Sequence, residues 1–263
     1  MKSKSREIYK ENFAEYLLCL ALDMGEGMLK NGAEISRVED TIERICMAYG
    51  AAHIEVFTII SFINASIRMP DGSYSSQMRR VKSTGMNLNT LEELNALSRY
   101  VCKKTPSLEE FDEKYQEVKR LNAYPKWLHT LAWGTAASSF AIFFGGGAID
   151  ALVAFLAGVL MYFIDTYSTK RMNGIGKVVL SSFVVAMLAG VSCFLGIGTN
   201  GGAIIQGSIM LLVPGVAIGL AMRDIFCGDT LAGTLKLLQS FLCALMIAFG
   251  YFLAVSLIGG TYI

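Results

Sequence analysis

Long apolar segments dominate the second half of the chain and are separated by short polar linkers. Most are close to the length of about 20 residues that a helix needs to cross a bilayer, although the second is slightly short. They cover residues 127–144, 148–164, 178–195, 203–222 and 237–258. We therefore predict a membrane protein with an all-α bundle of about five transmembrane helices over residues 126–263.

The first half has shorter patterns of a different kind. Apolar residues recur three or four positions apart within residues 6–30 and 32–50, which predicts two amphipathic helices. In the second of these, Ser36 and Glu39 have the spacing of a capping box, in which each side chain bonds a free amide at the start of a helix. Both helices are expected to pack on one core.

A hairpin is predicted after these helices. Residues 53–69 are rich in Ile, Val, Phe and Thr and lead into Pro70-Asp71-Gly72, a turn sequence. Because this run is long for one strand, we expect a break near Ser61 or Asn64. With the helical patterns that follow, residues 1–125 are predicted to form a small cytosolic α+β domain.

Charge is concentrated in the first half, since 18 of the 23 basic and 18 of the 22 acidic residues precede residue 127. The remaining basic residues lie in two linkers, with Lys170, Arg171 and Lys177 after the second apolar segment and Arg223 and Lys236 after the fourth. By the positive-inside rule, the N-terminal domain is cytoplasmic and the C-terminus is outside.

The composition excludes some classes of function. Net charge is only +1, and no basic stripe alternates with aromatic residues, so nucleic acid is excluded as a partner. The six cysteines show no CxxC pairing and lie in helical or apolar patterns, as reduced packing cysteines do. We expect neither a metal site nor a cofactor.

Enzymatic chemistry has one candidate arrangement in the first half. His53 and Glu55 are a potential acid and base, with Ser61 or Ser66 as nucleophile. No GxSxG, HExxH or phosphate-loop motif frames them. The alternative interpretation is that all four are ordinary strand residues near a turn.

The fourth apolar segment is interrupted by Pro214 and Gly215. Proline cannot donate a helical hydrogen bond, and an unsatisfied backbone group in hydrocarbon costs several kcal/mol. One interpretation is a broken helix whose polar residues Gln206 and Ser208 line a substrate cavity, as in many transporters. The other is a simple proline kink in which Gly215 and Gly219 form a close-packing GxxxG face.

Three aspartates on the predicted cytoplasmic side, Asp165, Asp224 and Asp229, also allow two interpretations. A charge at the bilayer centre costs about 2.5 to 3.5 kcal/mol, so acids near helix ends are either interface groups or members of a coupled site. In the first case they cap helices and contact headgroups. In the second, Arg223 attracts a carboxylate and an aspartate takes up a proton during transport.

Three motifs resemble those of the threonine/serine exporter family of bacterial membrane proteins. They are GAEISRVEDTIERICMAYG, RRVKSTGMNLNTLEELNALSRY and VPGVAIGLAMRDIFCGDTLAGTLK, in this order along nearly the whole chain. The family motif falls on Pro214, Gly215, Arg223, Asp224, Gly228, Asp229 and Gly233. The fifth segment departs from the family because it has Gln239 where many relatives are acidic, which weakens a direct transfer of proton-coupling roles.

The resemblance implies a particular architecture and function. Single-chain members have a soluble domain and about ten spans, whereas this chain has about five, so it resembles the larger subunit of the split form. That form works with a small, separately encoded membrane subunit in the bacterial inner membrane. The implied substrates are threonine and serine, or a small dicarboxylate such as succinate, exported with the proton gradient.

Two hypotheses follow from the sequence. The first is a secondary-transporter subunit that is not an enzyme, sits in the lipid bilayer and binds a small-molecule substrate; self-association stays open. The second is a membrane-anchored enzyme or sensor whose cytosolic domain acts on a small molecule. A helix break, uncharged outer linkers and clustered inner charges are more than an anchor requires, and favour the first.

Overall fold

The computed structural model describes residues 12–82, 85–120, 124–168 and 172–258. These residues form two compact units. The sheet unit comprises the described residues of 12–120 together with Gly219–Leu237, and the helical unit comprises the described residues of 124–218 and 238–258. The first residues of the predicted N-terminal helix, the linker cations Lys170 and Arg171, and the predicted outer C-terminus lie outside the described residues.

The sheet unit combines four helices with a three-stranded antiparallel sheet of order β1-β2-β3. Its elements are α1 (Phe13–Lys30), α2 (Ile35–Ala48), β1 (His53–Ile59), β2 (Phe62–Arg68), β3 (Tyr74–Arg80), α3 (Leu88–Lys104) and α4 (Leu108–Lys119). The predicted hairpin at Pro70-Asp71-Gly72 is confirmed, since these residues join β2 and β3. The predicted break near Ser61 is confirmed as well, because a tight turn there separates β1 from β2.

Helix α1 is the centre of this unit and packs against α2, the sheet, α3 and α4. Its leucines at positions 17, 18, 20 and 22 point in different directions around the helix, yet all are buried. Asp23 and Glu26 are buried too. The prediction of an amphipathic helix is therefore wrong for this segment, because a helix that is covered on all sides belongs to a core.

Helix α2 begins without the predicted capping box. Its first turn follows Glu34, whose side chain makes no capping hydrogen bond. Glu39 instead accepts a hydrogen bond from the backbone N–H of Thr58 in β1, at 2.7 Å. The capping-box prediction for Ser36 and Glu39 is thus wrong, because Glu39 links α2 to the sheet rather than to its own helix start.

The helical unit is built from α5 (Lys126–Phe143), α6 (Ala148–Tyr167), α7 (Gly174–Phe194) and α8 (Gly201–Ile209). Helices α9 (Gly215–Phe226) and α10 (Thr230–Ile258) contribute residues to both units. Among the described residues, three helices are long and apolar enough to cross a membrane, namely α6, α7 and α10. The other two predicted spans correspond to α5 and to the separate helices α8 and α9, so five spans stay a prediction.

Small residues allow the helices of this unit to pack closely. A Cβ atom on Gly207 of α8 would lie 2.4 Å from the backbone nitrogen of Ala141 in α5. A Cβ atom on Gly158 of α6 would lie 2.5 Å from the carbonyl oxygen of Trp133 in α5. Both distances are too short for any side chain, so glycine is required where these backbones meet, as is common between membrane helices.

Candidate functional site

The break between α8 and α9 is the first candidate feature, and it lies over residues 210–214. The backbone N–H groups of Leu211 and Leu212 donate to the carbonyl oxygens of Ser208 and Ile209 at 3.2 and 2.8 Å, a tighter turn than an α-helix makes. Pro214 then has no N–H to continue the ladder. The predicted interruption of this segment is confirmed, while a role in substrate binding stays a prediction.

Ser208 carries the least satisfied polar group near the break. Its side chain is fully buried, and its hydroxyl has no hydrogen-bond partner among the described residues. An unsatisfied buried hydroxyl costs about 1 to 3 kcal/mol, which a polar ligand would relieve. Gln206 is exposed, so the structure does not place both polar residues in one buried site.

The alternative of a GxxxG packing face does not hold within the described chain. A Cβ atom added to Gly215 or to Gly219 would meet nothing within 4 Å. These two glycines therefore support no close helix contact here, in contrast to Gly207. Packing of this pair against another chain stays a prediction.

A second candidate feature is the charged turn, residues 223–236, which belongs to the sheet unit. Asp224 is fully buried, and its Oδ2 accepts a hydrogen bond from the ammonium of Lys236 at 2.6 Å. The other oxygen, Oδ1, is buried without a hydrogen-bond partner among the described residues. Arg223 faces solvent and donates to Oε1 of Glu34 at 2.8 Å, which ties the end of α9 to the start of α2.

Two more carboxyls belong to the charged region around Asp224 and Arg223, namely those of Glu39 and Asp229, and both have a raised pKa. Burial raises the pKa of Glu39; the N–H of Thr58 opposes this, and the carboxylate of Asp229 adds to it. The pKa of Asp229 is raised by burial and then by the carboxylate of Asp224, against the effect of Lys236. The raised pKa values of Glu39 and Asp229 favour uptake of a proton by these two carboxyls.

Asp165 lies in the helical unit and has a different environment. Its Oδ1 and its backbone oxygen accept hydrogen bonds from the ammonium of Lys177 at 3.1 and 2.9 Å. The side chain of Asp165 is 60% exposed. The pair joins the end of α6 to the start of α7 and fits the interpretation of an interface group.

Sequence reasoning did not single out Asp150, which is fully buried at the start of α6. Its carboxylate accepts four hydrogen bonds, from the N–H groups of Gly147, Thr199 and Asn200 and from the hydroxyl of Thr199. It thereby joins the two glycine-rich linkers of the helical unit. An acid at the third position of a helix that follows glycines was the available signal.

Of the candidate enzymatic residues, His53 and Glu55 are exposed on β1, and Ser66 is half-buried on β2. His53 Nε2 lies 3.2 Å from Oε1 of Glu55, with the two side chains 63% and 76% exposed. Ser66 is the cross-strand partner of Glu55, whereas Ser61 is in the preceding turn. An open strand surface does not exclude water or fix a substrate, so the arrangement favours the interpretation of ordinary strand residues.

The sequence model of the family described as "Putative threonine/serine exporter" matches residues 19–258. No solved structure matches the chain. The match spans both units and includes the break and the charged turn.

Two bacterial relatives are similar over most of their length. The "Probable succinate transporter subunit YjjP" of Klebsiella aerogenes is 25% identical over 88% of this chain and 90% of its own. The protein of the same name from Escherichia coli K12 is 23% identical over 91% and 94%. The "Pheromone-regulated membrane protein 10" of Pichia sorbitophila is 26% identical over 78% of this chain, which spans only 21% of that longer protein.

Proposed function

We propose a transport function for this chain, which belongs to the family of threonine/serine exporters. The chain is one subunit of a secondary transporter that exports threonine or serine, or a small dicarboxylate of the succinate type. The observation that carries the proposal is the break between α8 and α9 beside the buried hydroxyl of Ser208. Irregular backbone in an apolar segment leaves N–H and C=O groups that can bind a substrate. A continuous helix uses these groups in its own hydrogen bonds.

The charged turn supplies the proposed coupling to protons. Asp224 has one buried oxygen without a partner, and Asp229 lies near it with a raised pKa. One of these acids takes up a proton in the cycle, and Arg223, which is largely exposed, attracts the substrate carboxylate. Export of an anionic or zwitterionic metabolite together with proton movement follows from these roles.

A second, small membrane subunit is part of the proposal. Only 17% of the apolar stretch of α10 is buried within the chain, compared with 44% for α6. Large apolar side chains such as Phe241, Phe249 and Phe252 are exposed on it. Together with the bilayer, a partner subunit covers this surface; the two bacterial relatives bear the name of a transporter subunit. A second copy of this chain is the competing occupant.

The proposed location is the bacterial inner membrane, with five spans, a cytoplasmic N-terminus and an external C-terminus. The placement of basic residues in alternate linkers supports this orientation. Cysteine accessibility scanning in intact cells tests it, with single cysteines placed in the linkers around 145 and 198. Both cysteines are expected to be labelled from outside the cell. Labelling only after permeabilisation would show that the chain has the opposite orientation.

The function is tested by export of labelled threonine, serine and succinate from preloaded cells. We compare the chain alone, the chain with its small partner, and both with Asp224→Asn, Ser208→Ala or the surface control Asp40→Asn. Export that needs both subunits, falls at least tenfold in Asp224→Asn and is unchanged in Asp40→Asn supports the proposal, provided that membrane abundance is equal. Ser208→Ala is expected to raise KM more than it lowers the maximal rate.

The opposite result has a defined meaning. If none of the three compounds leaves the cells under confirmed co-expression, the transport proposal fails for these substrates. If the purified chain then binds or converts a metabolite, the alternative of a membrane-anchored enzyme or sensor replaces it.

A further inference from the structure

An open groove runs between helices α2 and α3 of the sheet unit. Its volume is about 570 Å³, within the range of about 300 to 1,000 Å³ that is usual for small-molecule sites. Both walls carry arginine, with Arg37 and Arg44 on α2 and Arg99 on α3. The groove therefore has the size of an organic ligand and cationic groups from two helices.

Helices α2 and α3 run parallel, because hydrogen bonds join the chain at both pairs of ends. Just before the two helices, the backbone N–H of Asn87 donates to the carbonyl oxygen of Asn31 at 3.2 Å. Just beyond them, the hydroxyl of Tyr49 donates to the carbonyl oxygen of Pro106 at 2.7 Å. Side chains at the same distance from the two helix starts thus lie opposite each other, and each end of the groove has its own chemistry.

Two guanidinium groups belong to the end of the groove near the last turns of the helices, those of Arg44 and Arg99. The Nε of Arg44 donates to Oδ1 of Asp40 at 2.7 Å, which orients this guanidinium. Among the described residues, Arg44 makes no other hydrogen bond and Arg99 forms no ion pair. Guanidinium groups bind phosphate oxygens through pairs of parallel hydrogen bonds, so this end is suited to a phosphate group.

The other end of the groove is suited to a flat ring. Leu88 and Leu91 supply apolar surface there, and the side chain of Leu88 is 66% exposed. Arg37 lies at the same end, and a guanidinium packs on the face of an aromatic ring. The carboxylate of Glu92 is an acceptor for a ring N–H or amino group.

The middle of the groove is polar. Thr41 and Asn95 line it from the two helices and offer a hydroxyl and an amide. Arg37 and Arg44 are seven residues apart, which corresponds to about 10 Å along α2. Ring-binding and phosphate-binding groups are therefore separated by a polar stretch in which the hydroxyls of a sugar find partners.

We propose that this groove binds a nucleoside monophosphate. The phosphate lies at the guanidinium groups of Arg44 and Arg99, the sugar occupies the polar middle, and the base lies on the apolar surface beside Arg37. Inorganic phosphate or glycerol phosphate would fill one end only, and a small dicarboxylate has no ring for the other. Occupation of both ends thus selects a nucleotide over these smaller anions.

The groove goes beyond the proposed transport function. It lies wholly within the sheet unit and contains no residue of the break or of the charged turn. It gives the sheet unit a ligand of its own and takes no step in export. Binding and export are measured in separate assays, so either proposal can fail while the other stands.

Calorimetric titration of the purified full chain in detergent tests the inference. The ligands are AMP, GMP, CMP and UMP, with adenosine, inorganic phosphate, glycerol phosphate and succinate as comparison compounds. The variants are Arg99→Gln and, as the matched control on the same helix, Lys103→Gln, which removes one positive charge outside the groove. Both side chains are exposed, so neither substitution disturbs the core; equal Tm values check this.

We expect saturable binding of at least one of the four nucleotides, with a dissociation constant at least tenfold larger in Arg99→Gln and unchanged in Lys103→Gln. The advantage of that nucleotide over its nucleoside should fall by the same factor in Arg99→Gln, because only the phosphate contact is lost. The inference is overturned if none of the four binds or if Arg99→Gln binds like Lys103→Gln. Equally tight binding of adenosine, inorganic phosphate or succinate also overturns it, and equally tight binding of glycerol phosphate would assign the groove to a lipid headgroup instead.

Discussion

Replacing Lys236 by methionine is the sharpest test of the charged turn. Methionine has a similar length and no charge, so the substitution removes the ammonium that lies 2.6 Å from Oδ2 of Asp224. Because Oδ1 of Asp224 is already without a partner among the described residues, both carboxylate oxygens would then be buried without a hydrogen bond. The carboxylate side chain itself is 0% exposed.

The expected loss of stability follows from the short distance between Lys236 and Asp224. At 2.6 Å and an effective dielectric constant of about 20, the attraction between two unit charges is about 6 kcal/mol. Desolvation offsets part of it, and breaking one side of a buried pair costs about 3 to 5 kcal/mol in practice. At about 2 to 4 °C per kcal/mol for a protein of this size class, the expected fall in Tm is roughly 6 to 20 °C.

Thermal unfolding of the purified chain in detergent measures this effect, and Lys177→Met is the matched control. Lys177 is also a shielded lysine, but its partner Asp165 is 60% exposed and returns to water when the lysine is removed. The control should cost less than about 1 kcal/mol. A double-mutant cycle with Asp224→Asn should give a coupling energy above about 1 kcal/mol. Equal Tm values for Lys236→Met and Lys177→Met would refute the reasoning.

Three other outcomes are expected in the same unfolding assay. Gly207→Ala forces a Cβ atom to within 2.4 Å of the α5 backbone and should lower the free energy of unfolding by about 1 to 3 kcal/mol. Gly219→Ala has open space around it and should be neutral or stabilise the fold by up to about 1 kcal/mol. The same effect of both substitutions would contradict the close packing of α8 on α5. Asp150→Ala removes the acceptor of four hydrogen bonds and should cost at least about 3 kcal/mol, and a loss below about 1 kcal/mol would mean that water replaces them. Burial raises the pKa of Glu39 in the folded chain, so ionised Glu39 destabilises the fold above that pKa, and this penalty fades as the pH falls through the pKa. Glu39→Gln should therefore raise Tm at pH 7, and the Tm difference from the unchanged chain should shrink toward pH 4.5. A Tm difference that grows on acidification would contradict a raised pKa.

Features that depend on neighbouring residues in the chain were predictable from the sequence. The hairpin at Pro70-Asp71-Gly72 and the helix from Ile35 follow from turn chemistry and apolar spacing, and the structure has both. The interruption at Pro214 follows from the missing amide of proline. Each of these signals is local, so no knowledge of the tertiary structure was needed.

Features that depend on distant contacts were not predictable. The spacing of Ser36 and Glu39 is that of a capping box, but spacing cannot reveal that Thr58 of β1 offers Glu39 a backbone amide. In the same way, the apolar pattern of α1 indicates one buried face, while helices and sheet pack on every side of it. Tertiary packing decided both outcomes.

The candidate site shows the same division. The chemical types of Arg223, Asp224 and Asp229 stood out because charge is rare in the second half of the chain. Their partners did not, since Glu34 is 189 positions away from Arg223 and Glu39 is one acid among many in the first half. Composition assigns the charged turn to the apolar half, whereas contacts place it in the sheet unit.

The hydrogen bonds of Asp150 have a consequence for biosynthesis. Thr199, which supplies two of its four donors, is 49 residues later in the chain. At about 5 to 20 residues per second, a ribosome needs roughly 2 to 10 seconds to add that stretch. During this interval Gly147 is the only one of the four donor groups' residues that has been synthesised. The α5–α6 hairpin is therefore made before Thr199 and Asn200, whose hydrogen bonds to Asp150 fix its turn. Early insertion of this hairpin therefore depends on its own apolar surface. The hydrogen bonds from Thr199 and Asn200 to Asp150 form only once α7 has been synthesised.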